Sequence, residues 1–405
     1  MSVSSPAIPQ TRAVEHSLPE SAIAKKVDTQ KPRILVAGQV PPPICGQNLN
    51  IARVLNLLDK SGSFEVEHWS FRFTPQWDKM RRIGFGKAIE LLRVLGRLMR
   101  LRLGGKIDTI LYPVGGPHLA PSLRDIAILP FALLCSKKVV LHFRSAGLEH
   151  ALPKFPLAVS FLLKKIYRLC GHALVLSEYG KRDPEAAGIR SIHVLPNGTE
   201  DRFESGSSFK TRQAGDPITI LNAGLLCPDK GTPQLLGAFA AIYTRFPNTR
   251  LKLAGAPMAG LTEESIRHEA GRLGFADSLE LTGVLEGSEL MQAYAEADLF
   301  VFSTVAPFES FGMVLIEAMM WGLPIVATDW RANAEVLGEN FGGELAQPDE
   351  AGDFTAGLET ALADLIEREE SWSALGMKNR KEFLARFRID RLEQNLVDYL
   401  TNLNS

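Results

Sequence analysis

A tandem of two α/β domains, each a parallel sheet covered by helices, is predicted by three observations. Short apolar runs alternate with longer amphipathic segments through nearly the whole chain. They fall into two series separated by a polar, irregular stretch. The 405 residues exceed one ordinary core but suit two of about 150 to 200 residues each.

The first series holds "RILVAGQV" from Arg33, "FEVEHWSF" from Phe64, "DTILYPV" from Asp108, "KVVLHF" from Lys138, "HALVLS" from His172 and "SIHVLPN" from Ser191. The second holds "ITILNAG" from Ile218, "TRLKLAG" from Thr249, "LELTGV" from Leu279, "LFVFST" from Leu299 and "LPIVATD" from Leu323. These runs give a polar tail over 1–32, a first domain over 33–197, a linker over 198–217, a second domain over 218–370 and C-terminal helices over 371–405. From Arg380 the apolar residues Phe383, Leu384, Phe387, Leu392, Leu396 and Leu400 mostly suit one helical face, which could pack on either domain. Two such domains place a cleft at the C-terminal ends of both sets of strands, where open sheets bind ligands.

Composition narrows the classes. With 45% hydrophobic and 22% charged residues the chain is a globular protein able to bury large cores. A formal net charge of -1 gives no case for nucleic acid. Cys45, Cys135, Cys170 and Cys227 are scattered without CxxC spacing, the usage of a reducing cytoplasm. The tail shows no export signal, and the apolar run "DIAILPFALLC" is too short to cross a bilayer. Between Trp77 and Arg102, eight basic residues stand against an apolar background. That segment suits either a surface helix with its arginines in water or a helix lying on an anionic membrane.

Chemistry concentrates in a few places. In "APFESFGMVLIEAMM" a loop ends near Ser310 and Gly312, and a helix is expected from about Phe311, with backbone N–H groups aimed into the cleft. In "QVPPPICGQNLNIARVL" Gly46 allows close approach before a helix expected from about Asn48, although no GxGxxG is present. Glu309 and Glu317 stand eight positions apart, about 12 Å if helical. A carboxylate such as Glu317 in an apolar helix needs a donor, which ribose hydroxyls, a lysine or an arginine could supply. Lys230, after the strand ending at Ala223 and the turn through Gly224, is a compact charge within reach of a diphosphate or a solvated turn residue. His142 and Arg144 end another strand at the cleft, and His142 suits a ligand or acid–base role as well as a core hydrogen bond.

Taken together these segments resemble retaining glycosyltransferases of family 4. Glu309 to Glu317 is similar to that family's E-x7-E motif, with "SFG" after the first glutamate and "EAMMWGLPIVATD" continuing it. "LPNGTED" from Leu195 is similar to an interdomain signature, and "NAGLLCPDKG" to a phosphate-binding turn. The resemblance runs from Arg33 to near the end. It implies the B-type glycosyltransferase fold: two Rossmann-like domains with parallel sheets facing across a cleft, the last helix crossing back to the first domain.

The resemblance also implies roles. Glu309, His142 and Lys230 would serve transfer, with Glu309 beside the donor sugar, His142 near its 6-position and Lys230 on the diphosphate. Glu317 would hold the nucleotide ribose. Backbone at Gly46, Gly224, Ser310, Phe311, Gly312 and Met313, with Arg144 and Asn197, would complete the donor site. The implied donor is a nucleotide diphosphate sugar, UDP-, GDP- or ADP-linked, and the acceptor a hydroxyl on a glycan or lipid-linked molecule. No DxD-like cluster stands near the site, so neither a metal nor another cofactor is expected. The expected location is cytoplasmic, with contact at the inner face of the cell membrane through the basic segment. The chain departs from the family at Leu225, where an arginine is usual, and in having the single Gly46 for two glycines. A nucleotide-sugar epimerase and a binding protein that has lost catalysis are the alternative readings. Two-lobed solute-binding proteins fit less well because no export signal is present.

Overall fold

A computed structural model describes residues 31–41, 46–70, 85–203, 212–213 and 215–405. The tail over 1–30, Cys45, the first part of the basic segment and the middle of the linker lie outside these residues.

The first lobe runs β1 (Arg33–Ala37), α1 (Gly46–Ser61), β2 (Glu65–Trp69), α2 (Phe85–Leu103), β3 (Ile107–Pro113), α3 (Leu119–Cys135) and β4 (Ser136–His142), and then α4 (Leu148–Ala151), α5 (Leu157–Cys170), β5 (Gly171–Val175), α6 (Arg182–Ala186) and β6 (Ser191–Val194). The second runs β7 (Ile218–Ala223), α7 (Thr232–Arg245), β8 (Thr249–Ala254), α8 (Glu263–Arg272), β9 (Leu279–Gly283), α9 (Gly287–Glu296), β10 (Leu299–Phe302), α10 (Met313–Met320), β11 (Ile325–Thr328), α11 (Asn333–Leu337), β12 (Gly343–Ala346) and α12 (Thr355–Glu367). Helices α13 (Trp372–Arg386) and α14 (Ile389–Asn404) close the chain.

Each lobe carries a six-stranded sheet, ordered β2-β1-β3-β4-β5-β6 in the first and β12-β11-β10-β7-β8-β9 in the second. Every pairing is parallel, as near-continuous apolar strands covered on both faces require. Strand order reverses beside β1 and β3 and beside β7 and β10, which opens a crevice beyond their C-terminal ends. Alternation sets the two sides of each sheet. In β3, Ile110 and Tyr112 face the layer of α3 and α5, whereas Leu111 joins Ile34, Val36 and Val140 on the opposite side.

The C-terminal segment is two helices, and the one apolar face read from Arg380 is divided between them. Phe383 and Phe387 are buried in the second lobe, while Leu392, Leu396 and Leu400 are buried against the first-lobe strands β1, β3 and β4. The break lies where the chain crosses between lobes. Thr199 N–H donates to the Phe387 carbonyl at 2.9 Å, and Ile389 N–H donates to the Thr199 carbonyl at 2.9 Å. Gly198 is what admits the crossing, since a Cβ there would meet the Arg388 carbonyl oxygen at 3.0 Å and that of Phe387 at 3.1 Å. Leu384, counted on the apolar face from sequence, is exposed.

This division predicts unequal costs for two similar changes. Leu396→Ala should lower stability by about 2–5 kcal/mol, and Leu384→Ala should change it by no more than about 0.5 kcal/mol. Urea unfolding curves of the two variants check the contrast.

Candidate active site

The loop from Ser303 to Gly312 follows β10 and is fixed on several sides. Trp330 Nε1 donates to the Ala306 carbonyl at 2.8 Å, Thr328 Oγ1 to the Thr304 carbonyl at 2.6 Å, and Val305 N–H to the Asp229 carbonyl at 3.0 Å. Helix α10 begins at Met313, two residues later than expected, because Gly312 adopts φ 74° and cannot continue a right-handed helix backwards. Phe311 turns its ring into the core against Phe387, with centroids 5.8 Å apart. Only its backbone is left to face the cleft. Met313 is half-buried.

Glu309 is buried at the mouth of this loop, and its Oε2 pairs with Lys230 Nζ. Thr304 Oγ1 donates to the same oxygen at 3.4 Å. Lys230 ends a single 3-10 turn, Pro228–Lys230, and its ammonium stands 5.7 Å from the Phe302 ring centre and 5.9 Å from that of Phe308. The turn lies against β10 because Gly231 follows it, at φ 70°, where a Cβ would fall 1.8 Å from the Ser303 carbonyl oxygen. Lys230 is therefore neither a solvated turn residue nor a free cation.

Glu317 is half-buried on α10, and Tyr294 of α9 donates to its Oε2 at 3.0 Å. Burial raises its pKa; the Tyr294 hydrogen bond and the charges of Arg53 and Arg202 oppose that rise. The donor that the sequence demanded is thus a tyrosine hydroxyl, with two arginines near enough to favour the anion.

From the first lobe, β4 delivers His142, buried, with Nε2 at 3.4 Å from Arg144 Nη1. Arg144 Nη2 donates to Asn197 Oδ1 at 3.3 Å, and Arg144 Nε is buried without a partner. Burial, then the charge of Arg53, lowers the Arg144 pKa to about 9, which leaves it cationic at neutral pH. Burial above all, then Arg144, holds His142 well below the usual imidazole range, so it is neutral and its Nε2 can accept. Arg53, on α1, donates to Asn50 Oδ1 at 2.9 Å. Gly46 is the first residue of α1, slightly earlier than the start expected at about Asn48. Gly224 has φ 134°, and beyond it Leu225 is exposed.

The lobes meet here. Ala146 N–H donates to the Phe308 carbonyl at 3.1 Å, and Ser310 Oγ donates to the Arg144 carbonyl at 2.9 Å. Sequence reasoning had placed Arg144 and Ser310 in separate motifs; the structure joins them. It had missed Tyr294 and Arg53. The only cue to Arg53 was a cation two helical turns beyond Gly46, and Tyr294 carried none. Among the described residues no group of three or more His, Cys, Asp or Glu could hold a metal ion.

Two parallel α/β lobes with acidic and cationic side chains at their facing strand ends define the B-type glycosyltransferase fold. Residues 205–378, in the second lobe and the start of the C-terminal helices, match the family described as glycosyl transferases group 1. Over 204 residues the chain is 32% identical to a D-inositol 3-phosphate glycosyltransferase 2 of Catenulispora acidiphila, an alignment covering 48% of this chain and 46% of that one. The chain thus spans about half the length of this curated relative. Its fold is similar to that of a sucrose-phosphate synthase from Thermosynechococcus elongatus, with TM-score 0.71, 16% identity, and 92% of this chain and 99% of that one covered. It is also similar to Anabaena Alr3699/HepE in complex with UDP, with TM-score 0.66, 17% identity, and 91% and 100% covered.

Two expectations follow for the buried charges. Glu317→Gln removes a desolvated carboxylate while keeping an acceptor for Tyr294, so its melting temperature at pH 7 should equal or exceed that of the wild type by calorimetry. The folded chain also withholds from His142 a proton that the unfolded chain takes up near pH 6.5. Its contribution to stability therefore falls as pH drops below that value, and His142→Asn should flatten the melting-temperature profile between about pH 5 and 7.

Proposed function

We propose that this protein transfers a sugar from a nucleoside diphosphate sugar to a hydroxyl acceptor with retention of anomeric configuration. The observation that carries this reading is the Lys230–Glu309 pair at the strand ends of the second lobe, facing His142 and Arg144 of the first. A cation and a carboxylate side by side suit a ligand in which a phosphate adjoins a hydroxyl-rich ring. The UDP complex of the structurally similar Anabaena protein supports a nucleoside diphosphate as the leaving group.

In the proposed reaction the bond from the anomeric carbon to the leaving phosphate oxygen breaks, and the acceptor oxygen bonds to that carbon on the same face. The acceptor's proton passes to the leaving phosphate. Lys230 and the backbone around Ser310 to Gly312 stabilise the departing charge, and Glu309 orients the ring and favours its positive character. Glu317 binds the ribose hydroxyls, exchanging a costly burial for two further donors. Gly46 and Gly224 line the phosphate path, Asn197 steadies Arg144, and neutral His142 accepts from a sugar hydroxyl. At Leu225 no cation is available. Arg53 and Arg144, which hydrogen-bond to the neutral side chains of Asn50, His142 and Asn197, supply positive charge from the first lobe instead. The acceptor is a hydroxyl on a glycan or lipid-linked molecule.

Exposed Leu225 also suits a binding protein without catalysis. Titration calorimetry with UDP-, GDP- and ADP-sugars, followed by product analysis with an acceptor panel, separates the readings. Donor binding with transfer supports the proposal, and donor binding without transfer supports the alternative. Glu309→Gln should slow transfer by about a hundredfold or more. Glu317→Gln should weaken donor binding by about tenfold or more, as expected for losing a charged hydrogen-bond acceptor. Wild-type turnover in Glu309→Gln would refute the assignment.

A further inference from the structure

One face of the first lobe is built unlike the rest of the protein. Helix α3 packs against both α2 and α5 on the same side of the sheet. Its outward stripe is apolar, running through Leu119, Leu123 and Phe131 to Leu134, which is 81% exposed. On one flank α5 exposes Leu157 (88%), Phe161 (67%) and Leu169 (64%) beside Lys164, Lys165 and Arg168. On the other, α2 exposes Leu92, Met99 and Leu103 beside Arg97 and Arg100. No acidic residue lies anywhere on α5. The three helices hold nine lysines and arginines against two acidic residues, in a chain of net charge -1.

We infer that this three-helix face lies on an anionic lipid bilayer, with α3 and the leucines of α5 at the acyl boundary and the flanking cations at the headgroups. Isolated exposed leucines are ordinary, but three adjoining helices that each present several form a patch that a solitary protein rarely leaves in water. Cations bordering apolar side chains fit the interface between anionic headgroups and acyl chains. A second copy of the chain fits less well. A two-fold contact through this face would set Lys164, Lys165 and Arg168 close to their own counterparts with no carboxylate on α5 to meet them. No described helix is long and apolar enough to cross a membrane, so the contact lies along the surface. The sequence pointed only to the segment from Trp77 to Arg102; α3 and α5 enter because the fold sets them beside it. The inference stands independently of sugar transfer.

The test is sedimentation of the full chain with vesicles of phosphatidylglycerol and phosphatidylcholine, against phosphatidylcholine alone, at about 0.1 and 0.5 M salt. Binding to the anionic vesicles, weakened by salt, is expected. Lys164→Gln/Lys165→Gln/Arg168→Gln should lower partitioning by about a hundredfold. Leu157→Ser/Phe161→Ser should lower it by at least about tenfold at both salt concentrations. All five side chains are exposed, so circular dichroism should show both variants folded. Failure of the wild type to bind, or binding by both folded variants equal to the wild type, overturns the inference. So does a dimer in analytical ultracentrifugation that Leu157→Ser/Phe161→Ser dissolves, which would assign the face to a second copy.

Discussion

The geometry of the site depends on a short seam where residues 144–146 of the first lobe meet residues 308–310 of the second. Its hydrogen bonds are made by backbone groups and one hydroxyl, so they fix chain position without committing the charged side chains around them. At Gly147, φ 102°, a Cβ would stand 2.8 Å from the Pro307 carbonyl oxygen, and only glycine lets the strands' loops come this close. Because Arg144 and Glu309 both belong to this seam, the contact that joins the lobes also sets the distance between the cation of one and the carboxylate of the other. A second junction supports it. Glu335 accepts from the backbone N–H groups of Glu178 at 2.5 Å and Tyr179 at 2.9 Å, binding β5's outgoing loop to α11.

Charge burial is distributed unevenly around that seam. In the first lobe the fully buried Asp125 is satisfied by Tyr112, Tyr167, Arg124 and the Gly115 N–H, at distances of 2.7 to 2.9 Å. That network is closed and holds the loop after β3. The cleft differs: Arg144 keeps a buried Nε without a partner, and Glu317 relies on one tyrosine. Buried polar groups are normally satisfied, and a ligand carrying phosphate in the cleft would give Arg144 Nε the acceptor it lacks.

Much of this was legible in the sequence. Apolar runs with both faces covered read directly as parallel strands, and every quoted run overlaps a strand of its series, whereas the short edge strand β12 had no run of its own. The positions 309, 317, 230, 142 and 144 were also visible, because charged residues at strand ends or inside apolar helices stand out against their surroundings. Partners were not. That Glu309 holds Lys230 rather than facing the cleft unpaired is a contact between residues 79 positions apart. Glu317 finds Tyr294 on a neighbouring helix for the same reason. The one apolar face read from Arg380 proved to serve two cores because periodicity records apolar spacing but not which core each residue enters. Phe387 and Leu392 belong to different lobes, and the turn between them is dictated by Thr199 and Gly198, almost two hundred residues away in sequence.

The replacement at Leu225 ties these strands together. A cation on the second lobe would bind phosphate whatever the first lobe did, whereas Arg53 and Arg144 can contribute only when α1 and β4 stand opposite α10. Coulomb attraction at an effective dielectric of about 20 falls from about 4 kcal/mol at 4 Å to about half that at 8 Å. A few ångströms of separation at the seam would therefore remove much of the charge that the second lobe lacks. Donor affinity in the proposed reaction is then a property of the joined lobes rather than of the family's second-lobe motif alone. The crossing at Thr199, which seats α14 on the first lobe while α13 stays on the second, supports the seam in holding that relation.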